Sequence, residues 1–311
     1  MSPETIDLLL AASRWLIYAG ALGMVGARGA LLVADRVNTP QTRTFTDAIA
    51  RRLPALALSA SVVWACGLVA MLAAQSVSWF GVEGLGDPDR LRDMIVRSRW
   101  GAWWFKVFVS AVVVIAAHVL ARRAPVWTPR AIVLAALVAI VATPVLGHAA
   151  GRGATTWLLH SLHLAGSGLW IGTLLMLAWT TWPMWGDGTA SSSNSSERTT
   201  ALRDLLSAFT PVALGGAGLV LASGALLTTT QIWPLGTFFD TAYGAALSRK
   251  LVFVAVMLAL GWLNWRHFRP ELEIDARRRA LRNAVRIELT IGFLVVLVLT
   301  AWLSGLPTPN G

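Results

Sequence analysis

Histidines form the most informative group in this sequence. Three of the five fall within sixteen residues, at His148, His160 and His163. They lie at the start of an apolar stretch, residues 158–182, that is long enough to cross a bilayer. A polar side chain that binds metals is costly in that setting and is therefore a candidate functional group. Imidazole suits copper, zinc, iron and nickel, so metal handling at the face of a membrane is the first chemistry to consider.

The spacing of these histidines allows a single metal site. His160 and His163 are three residues apart, so they share one face of a helix. His148 ends the preceding apolar segment on the same side of the membrane, and the connecting loop is short. Three imidazoles suit Cu(II) or Zn(II), and Cu(I) accepts two or three. The alternative is that these histidines lie at the membrane surface and bond only to water or lipid headgroups.

The composition defines the fold class. The chain has 311 residues, of which 56% are hydrophobic and 14% charged, whereas a soluble protein carries roughly 25% charged residues. Because an apolar run of about 20 residues crosses a bilayer as a helix, the sequence predicts an all-α polytopic membrane protein with about eight transmembrane helices. The predicted spans are 9–33, 54–78, 101–121, 128–147, 157–182, 204–230, 248–267 and 283–304.

The distribution of positive charge predicts the orientation of the chain. The net charge is +10, but the arginines gather in alternate loops, which is typical of a membrane protein and does not indicate nucleic-acid binding. The loops 34–52, 122–130, 183–202 and 266–282 hold twice as many basic residues as the opposite loops. The positive-inside rule therefore places both termini outside the cytoplasm.

The two halves of the chain, about 9–147 and 157–304, resemble each other weakly, as two four-helix repeats would. In this alignment His160 and His163 replace Arg14 and Ile17. Chance similarity between helices rich in glycine and alanine is the alternative. The matching residues are Ala19, Gly20 and Gly26 with Ala165, Gly166 and Gly172, and Pro54 and Gly67 with Pro211 and Gly224.

Two further side chains could serve a cation that crosses the membrane. Glu288 lies about one turn inside the last span, so it is expected to face the bundle and either pair with a cation or help to move one. Methionine is a soft ligand for Cu(I), and Met176 lies inward of the histidines on the same helix. The other methionines are interpreted as core residues. The chain contains no P-loop, nucleophile elbow or HExxH motif, so we expect no enzymatic activity.

The chain resembles the CopD/PcoD copper-resistance family of bacterial inner-membrane proteins from about residue 10 to residue 305. The residues that carry the resemblance are Gly147-His148-Ala149, His163-Leu164, the string 168–172 (GLWIG), Thr241 to Gly244 with Lys250, Asn264 to Pro270, and Glu288.

This resemblance implies copper transport across, or copper handling in, the cytoplasmic membrane. Because the loop charges place both termini on the periplasmic side, we expect copper to be received at a periplasm-facing histidine site. The resemblance also implies a partner, a periplasmic copper-binding protein of the CopC type, which we expect to be a separate chain because no such domain is visible in this sequence. Two alternatives stay open. One is a membrane haem protein for electron transfer that uses His148 or His163 as an outer ligand and His118 with His267 as inner ligands. The other is a copper-binding subunit that does not transport.

Overall fold

Eight long apolar helices account for most of the chain. The computed structural model describes residues 2–37, 39–147, 153–185, 192–232, 239–268, 272 and 274–306. Eight helical segments within these ranges are long and apolar enough to cross a membrane, which confirms the predicted all-α polytopic fold. His148 lies outside the described residues, so its position relative to the other histidines stays a prediction.

Eleven α-helices and several shorter helical turns make up the described spans. A π-helical segment at Gly168–Gly172 joins α6 to α7, a second at Asn264–Phe268 follows α9, and a third at Ile291–Val296 joins α10 to α11. The helices are α1 Pro3–Arg36, α2 Arg43–Phe80, α3 Pro88–Arg97, α4 Arg99–Ala121, α5 Thr128–Ala142, α6 Ala154–Ser167, α7 Thr173–Thr181, α8 Ser192–Gln231, α9 Ala242–Leu263, α10 Asp275–Thr290 and α11 Leu297–Leu303.

Capping residues determine where several of the helices begin. The Ser2 hydroxyl accepts a hydrogen bond from the Thr5 amide, and Pro3 occupies the first turn of α1. Thr241 caps α9 in the same way by accepting from the Gly244 amide at 3.0 Å. Such caps provide hydrogen-bond acceptors for amide groups that would otherwise lack them. Within a bilayer no water is present to accept these hydrogen bonds instead.

Helix α1 lies at the centre of the bundle and packs against α2, α5, α7 and α11. Its close approach to the fifth span depends on two glycines. A Cβ atom at Gly26 would overlap the backbone of Gly172, and a Cβ atom at Gly172 would overlap the backbone of Leu22. Small residues at such crossings let helix backbones approach closely in a membrane, where packing contributes much of the association energy.

Three interruptions of the α-helical pattern lie in the second half of the chain, at the π-helical segments. A π segment inserts one residue into a helical turn, leaves carbonyl groups without regular partners and often marks a functional site. At Ile291–Val296 one carbonyl is satisfied from another helix, because the Trp15 indole N–H of α1 donates to the Phe293 carbonyl at 2.9 Å. This bond ties the last span to the central helix.

Candidate functional site

His163 is held against helix α8 on its own side of the bundle. Its Nδ1 lies 3.2 Å from the Ser223 hydroxyl oxygen. The edge of the ring fits over Gly224, where a Cβ atom would lie 3.2 Å from the histidine Cε1. The imidazole is half-buried, while Ser223 is buried. A glycine at 224 is therefore needed for the ring to reach its hydrogen-bond partner.

The hydrogen bonds around Ser223 define which nitrogen of His163 is free. The Ser223 hydroxyl donates to the Leu219 carbonyl at 2.5 Å, so its hydrogen is committed and its oxygen accepts from His163. In this arrangement the Nδ1 atom carries the proton. A neutral imidazole with a proton on Nδ1 has its lone pair on Nε2. A polar partner that fixes the tautomer in this way is typical of metal-binding histidines.

His160 and Lys250 complete the outer group. His163 is in electrostatic contact with both, and each of the three side chains is half-buried. Lys250 comes from α9, so the group joins the fifth and seventh spans. In the part of the chain that the structure describes, no three His, Cys, Asp or Glu side chains are grouped closely enough to hold a metal ion. His160 and His163 are thus two candidate ligands, and the third predicted ligand, His148, lies outside that part.

Glu288 lies deeper in the same half of the bundle. It is 3% exposed, the Trp170 indole N–H is within hydrogen-bonding reach of its carboxyl group, and Gly261 of α9 faces it. No basic side chain in the described residues lies within ion-pair distance of it. The sequence-based expectation that Glu288 faces the bundle is confirmed, but it has no paired cation there. Burying an ionised carboxylate without a partner costs several kcal/mol.

Met257 lies one helical turn from Gly261 and packs across from the last span. A Cβ atom at Gly292 would lie 3.3 Å from the Met257 methyl group, just as one at Gly261 would lie 4.0 Å from Glu288 Oε1. The seventh and eighth spans therefore run antiparallel, and each of these two side chains lies over a glycine of the other span. Met257 is 2% exposed and packs in one cluster with Trp170.

We call these residues the seam: they come from the fifth and sixth spans on one side and from the seventh and eighth spans on the other. From the histidine end inwards, the seam comprises His160, His163, Ser223, Lys250, Trp170, Met257 and Glu288.

Met176, the methionine singled out in the sequence, lies outside the seam. It is buried, and its methyl group packs against α1, 3.2 Å from the position of a Cβ atom on Gly23. Met257 is the residue that sequence reasoning missed. A usable signal was present, because Met257 and Gly261 are four apart on one helix and Glu288 and Gly292 are four apart on the next. That spacing alone does not reveal which faces meet.

The two remaining histidines lie in different surroundings. His118 of α4 is 3% exposed, and its Nε2 has no hydrogen-bond partner among the described residues. His267 is exposed and contacts the Trp262 ring edge-on at 5.8 Å. Neither of these two histidines belongs to the seam.

Comparisons with known proteins identify the family of this chain. The family model described as Copper resistance protein D matches residues 203–303, and that described as Copper resistance protein D-like, N-terminal domain, matches residues 5–157. The chain is 26% identical over 230 residues to a protein named copper transport protein CutJ from Bacillus subtilis (strain 168). The match covers 71% of this chain but 39% of that relative, so the chain spans well under two thirds of the relative's length. No solved structure matches the chain.

The eight apolar helices of the described residues define a multi-pass membrane protein. Together the two family models span most of the chain, and the chain belongs to the copper resistance protein D family.

Proposed function

We propose that the protein moves copper across the bacterial cytoplasmic membrane and that copper enters the protein at His163. The observation that carries this proposal is the hydrogen bond between His163 and Ser223, which leaves the Nε2 lone pair of the ring available for a metal. His160 and His148 are the assisting ligands in this proposal. Two or three imidazoles suit the copper ion in either common oxidation state.

In this proposal Lys250 limits the affinity of the entry site for copper. A positive charge near the imidazoles opposes a bound cation, because like charges repel strongly where little water screens them. Transport requires binding that is favourable enough for entry and weak enough for release. We therefore propose that Lys250 keeps copper from being trapped at the histidines.

The seam supplies the inward path in this proposal. Copper passes from the histidines along Trp170 and Met257 to Glu288, whose carboxylate compensates the positive charge of the ion. A carboxylate inside a membrane is costly unless it serves such a role. The absence of a paired cation among the described residues supports this role for Glu288. Met176 stays a predicted path residue, but it packs against α1 and away from the seam.

The orientation follows from the loop charges. We propose that both termini and the histidine end of the seam face the periplasm, with the arginine-rich loops in the cytoplasm. A periplasmic copper-binding protein of the CopC type would then deliver the ion to the exposed end of the seam. The relative named as a copper transport protein supports copper as the cargo.

We also propose that the chain arose from two four-helix repeats, about 9–147 and 157–304. Corresponding residues make corresponding contacts: Gly67 of α2 packs on Ile17 of α1, and Gly224 of α8 packs on His163 of α6. The matched glycines Gly26 and Gly172 touch one another where the first and fifth spans cross. On this proposal the copper site is an ordinary helix-packing position at which an apolar side chain was replaced by histidine.

The test is the copper content and optical spectrum of the purified protein, compared with those of His163→Ala, His148→Ala/His163→Ala and a control, His267→Ala. We expect copper in the wild type and the control, less copper in the first variant, little in the second, and no Soret band. A Soret band lost with these histidines would establish the haem alternative instead. Copper uptake by sealed vesicles separates transport from binding alone: copper bound without uptake would identify a non-transporting subunit.

A further inference from the structure

Two arginines of α10 share one tryptophan at the arginine-rich boundary of the bundle. The guanidinium carbon of Arg282 lies 5.2 Å from the centre of the Trp182 ring, and that of Arg286 lies 5.0 Å from it. The residues are four apart, so they lie on one face of the helix. Trp182 itself stacks on Trp185, whose ring centre is 5.5 Å away. The platform under the two charges is therefore rigid.

Among the described residues, neither guanidinium has an acidic partner. Within the described ranges, no carboxylate lies within ion-pair distance of Arg282 or Arg286. Arginines near α3 differ, because Arg90 and Arg97 pair with aspartates at 2.9 and 3.2 Å. Two adjacent positive charges without a counter-charge repel each other, and an anion bound between them would relieve that repulsion.

The position of the pair indicates what kind of anion it meets. Trp182 ends the fifth span, and α10 begins the eighth, so both lie where the apolar part of the bundle stops. Farther along the last span, Ile287 and Leu294 are 49% and 61% exposed and present an apolar surface next to the charges. An anionic group carried on hydrocarbon chains matches this combination, whereas a free anion would use only the charged part.

We propose that Arg282, Arg286 and Trp182 form a binding site for the phosphate group of an anionic phospholipid. Stacking on the indole holds each guanidinium in place by a cation–π interaction and leaves its N–H edge free. Arginine in this arrangement donates two parallel hydrogen bonds to phosphate oxygens. The acyl chains of the lipid then lie along Ile287 and Leu294. The site is separate from the seam and does not depend on the proposed copper transport.

The experiment is native mass spectrometry of the detergent-solubilised full chain with phosphatidylglycerol, with phosphatidylcholine, or with inorganic phosphate alone. Wild type is compared with Arg282→Gln/Arg286→Gln and with a control at the same boundary, Arg122→Gln/Arg123→Gln, both of whose arginines are exposed. We expect the first double variant to bind phosphatidylglycerol about 25-fold more weakly, because each of the two guanidinium groups that would contact the phosphate contributes roughly a factor of five. The control is expected to bind as wild type does.

Equal phosphatidylglycerol binding by wild type and Arg282→Gln/Arg286→Gln would overturn the proposal. Equal binding of phosphatidylcholine would overturn it as well, and so would saturation by inorganic phosphate at the affinity of the lipid, since the site would then be one for a free anion. If the double variant does not fold, Arg286→Gln alone serves, because Arg286 is exposed. Its expected loss is about fivefold.

Discussion

Replacing Gly224 by alanine tests the orientation of His163 without removing the histidine. The added Cβ atom would lie 3.2 Å from His163 Cε1 and 3.5 Å from Nδ1. Carbon atoms prefer separations of about 3.5–4.0 Å, so the ring must move by roughly 0.3–0.8 Å. The bond from Nδ1 to Ser223 is already 3.2 Å long, and such a shift takes it beyond the range of a hydrogen bond.

The expected consequence is a loss of metal affinity with little change in stability. Losing a hydrogen-bond partner that orients a metal ligand lowers affinity by about 10–100-fold. In the free energy of unfolding, the lost hydrogen bond costs about 1 kcal/mol. Alanine in place of a helical glycine returns up to about 1 kcal/mol. The two terms nearly cancel, so the melting temperature of Gly224→Ala should stay close to that of the wild type.

Gly215→Ala is the matched control on the same helix, because a Cβ atom at Gly215 meets nothing within 4 Å. Cu(I) affinity is measured by anaerobic competition with a chromophoric chelator, with His163→Ala as the reference for a lost site. Gly215→Ala should bind copper as the wild type does. Equal affinity in Gly224→Ala and Gly215→Ala, with reduced affinity in His163→Ala, would refute the claim that Ser223 and Gly224 orient the ligand.

Three further predictions concern the seam and the packing of the bundle. Glu288→Gln should lower vesicle copper uptake by at least about tenfold, because a buried charge partner contributes more than 2 kcal/mol, whereas exposed Glu83→Gln should not. Met257→Leu should lower copper uptake, whereas Met176→Leu should not. Both substitutions conserve side-chain volume and should cost under about 1.5 kcal/mol of stability. Equal uptake in the two variants would argue against the seam as the path. Gly26→Ala should lower the melting temperature, because its Cβ atom overlaps the Gly172 backbone and overpacking costs about 1–3 kcal/mol.

Part of the site was predictable from residue types and spacing. The sequence indicated that His160 and His163 share a helix face, and the structure places both in one electrostatic group. It also indicated that Glu288 faces the bundle, which its burial confirms. Each inference needed only the helical repeat and the cost of a polar group in lipid. Neither depends on knowing the neighbouring helix.

The partners of these residues were not predictable in the same way. Ser223 lies sixty residues from His163 in the sequence. Met257 and Met176 both lie within apolar stretches, so the surrounding residues do not distinguish them. A helix in a bilayer is apolar on nearly all sides, so its sequence does not mark the face that contacts protein. The sequence therefore does not show which of the two methionines packs beside Trp170.

By itself the sequence determined the number of spans and the all-α fold, because a bilayer accepts an apolar run of this length only as a helix with its own hydrogen bonds satisfied. Only the tertiary structure decided which helix faces meet. Glycines such as Gly26, Gly172 and Gly224 allow particular pairs of helices to approach, and those approaches are contacts between distant parts of the chain. Local composition is thus sufficient to predict the transmembrane helices, whereas the arrangement of the seam residues depends on where the helices cross.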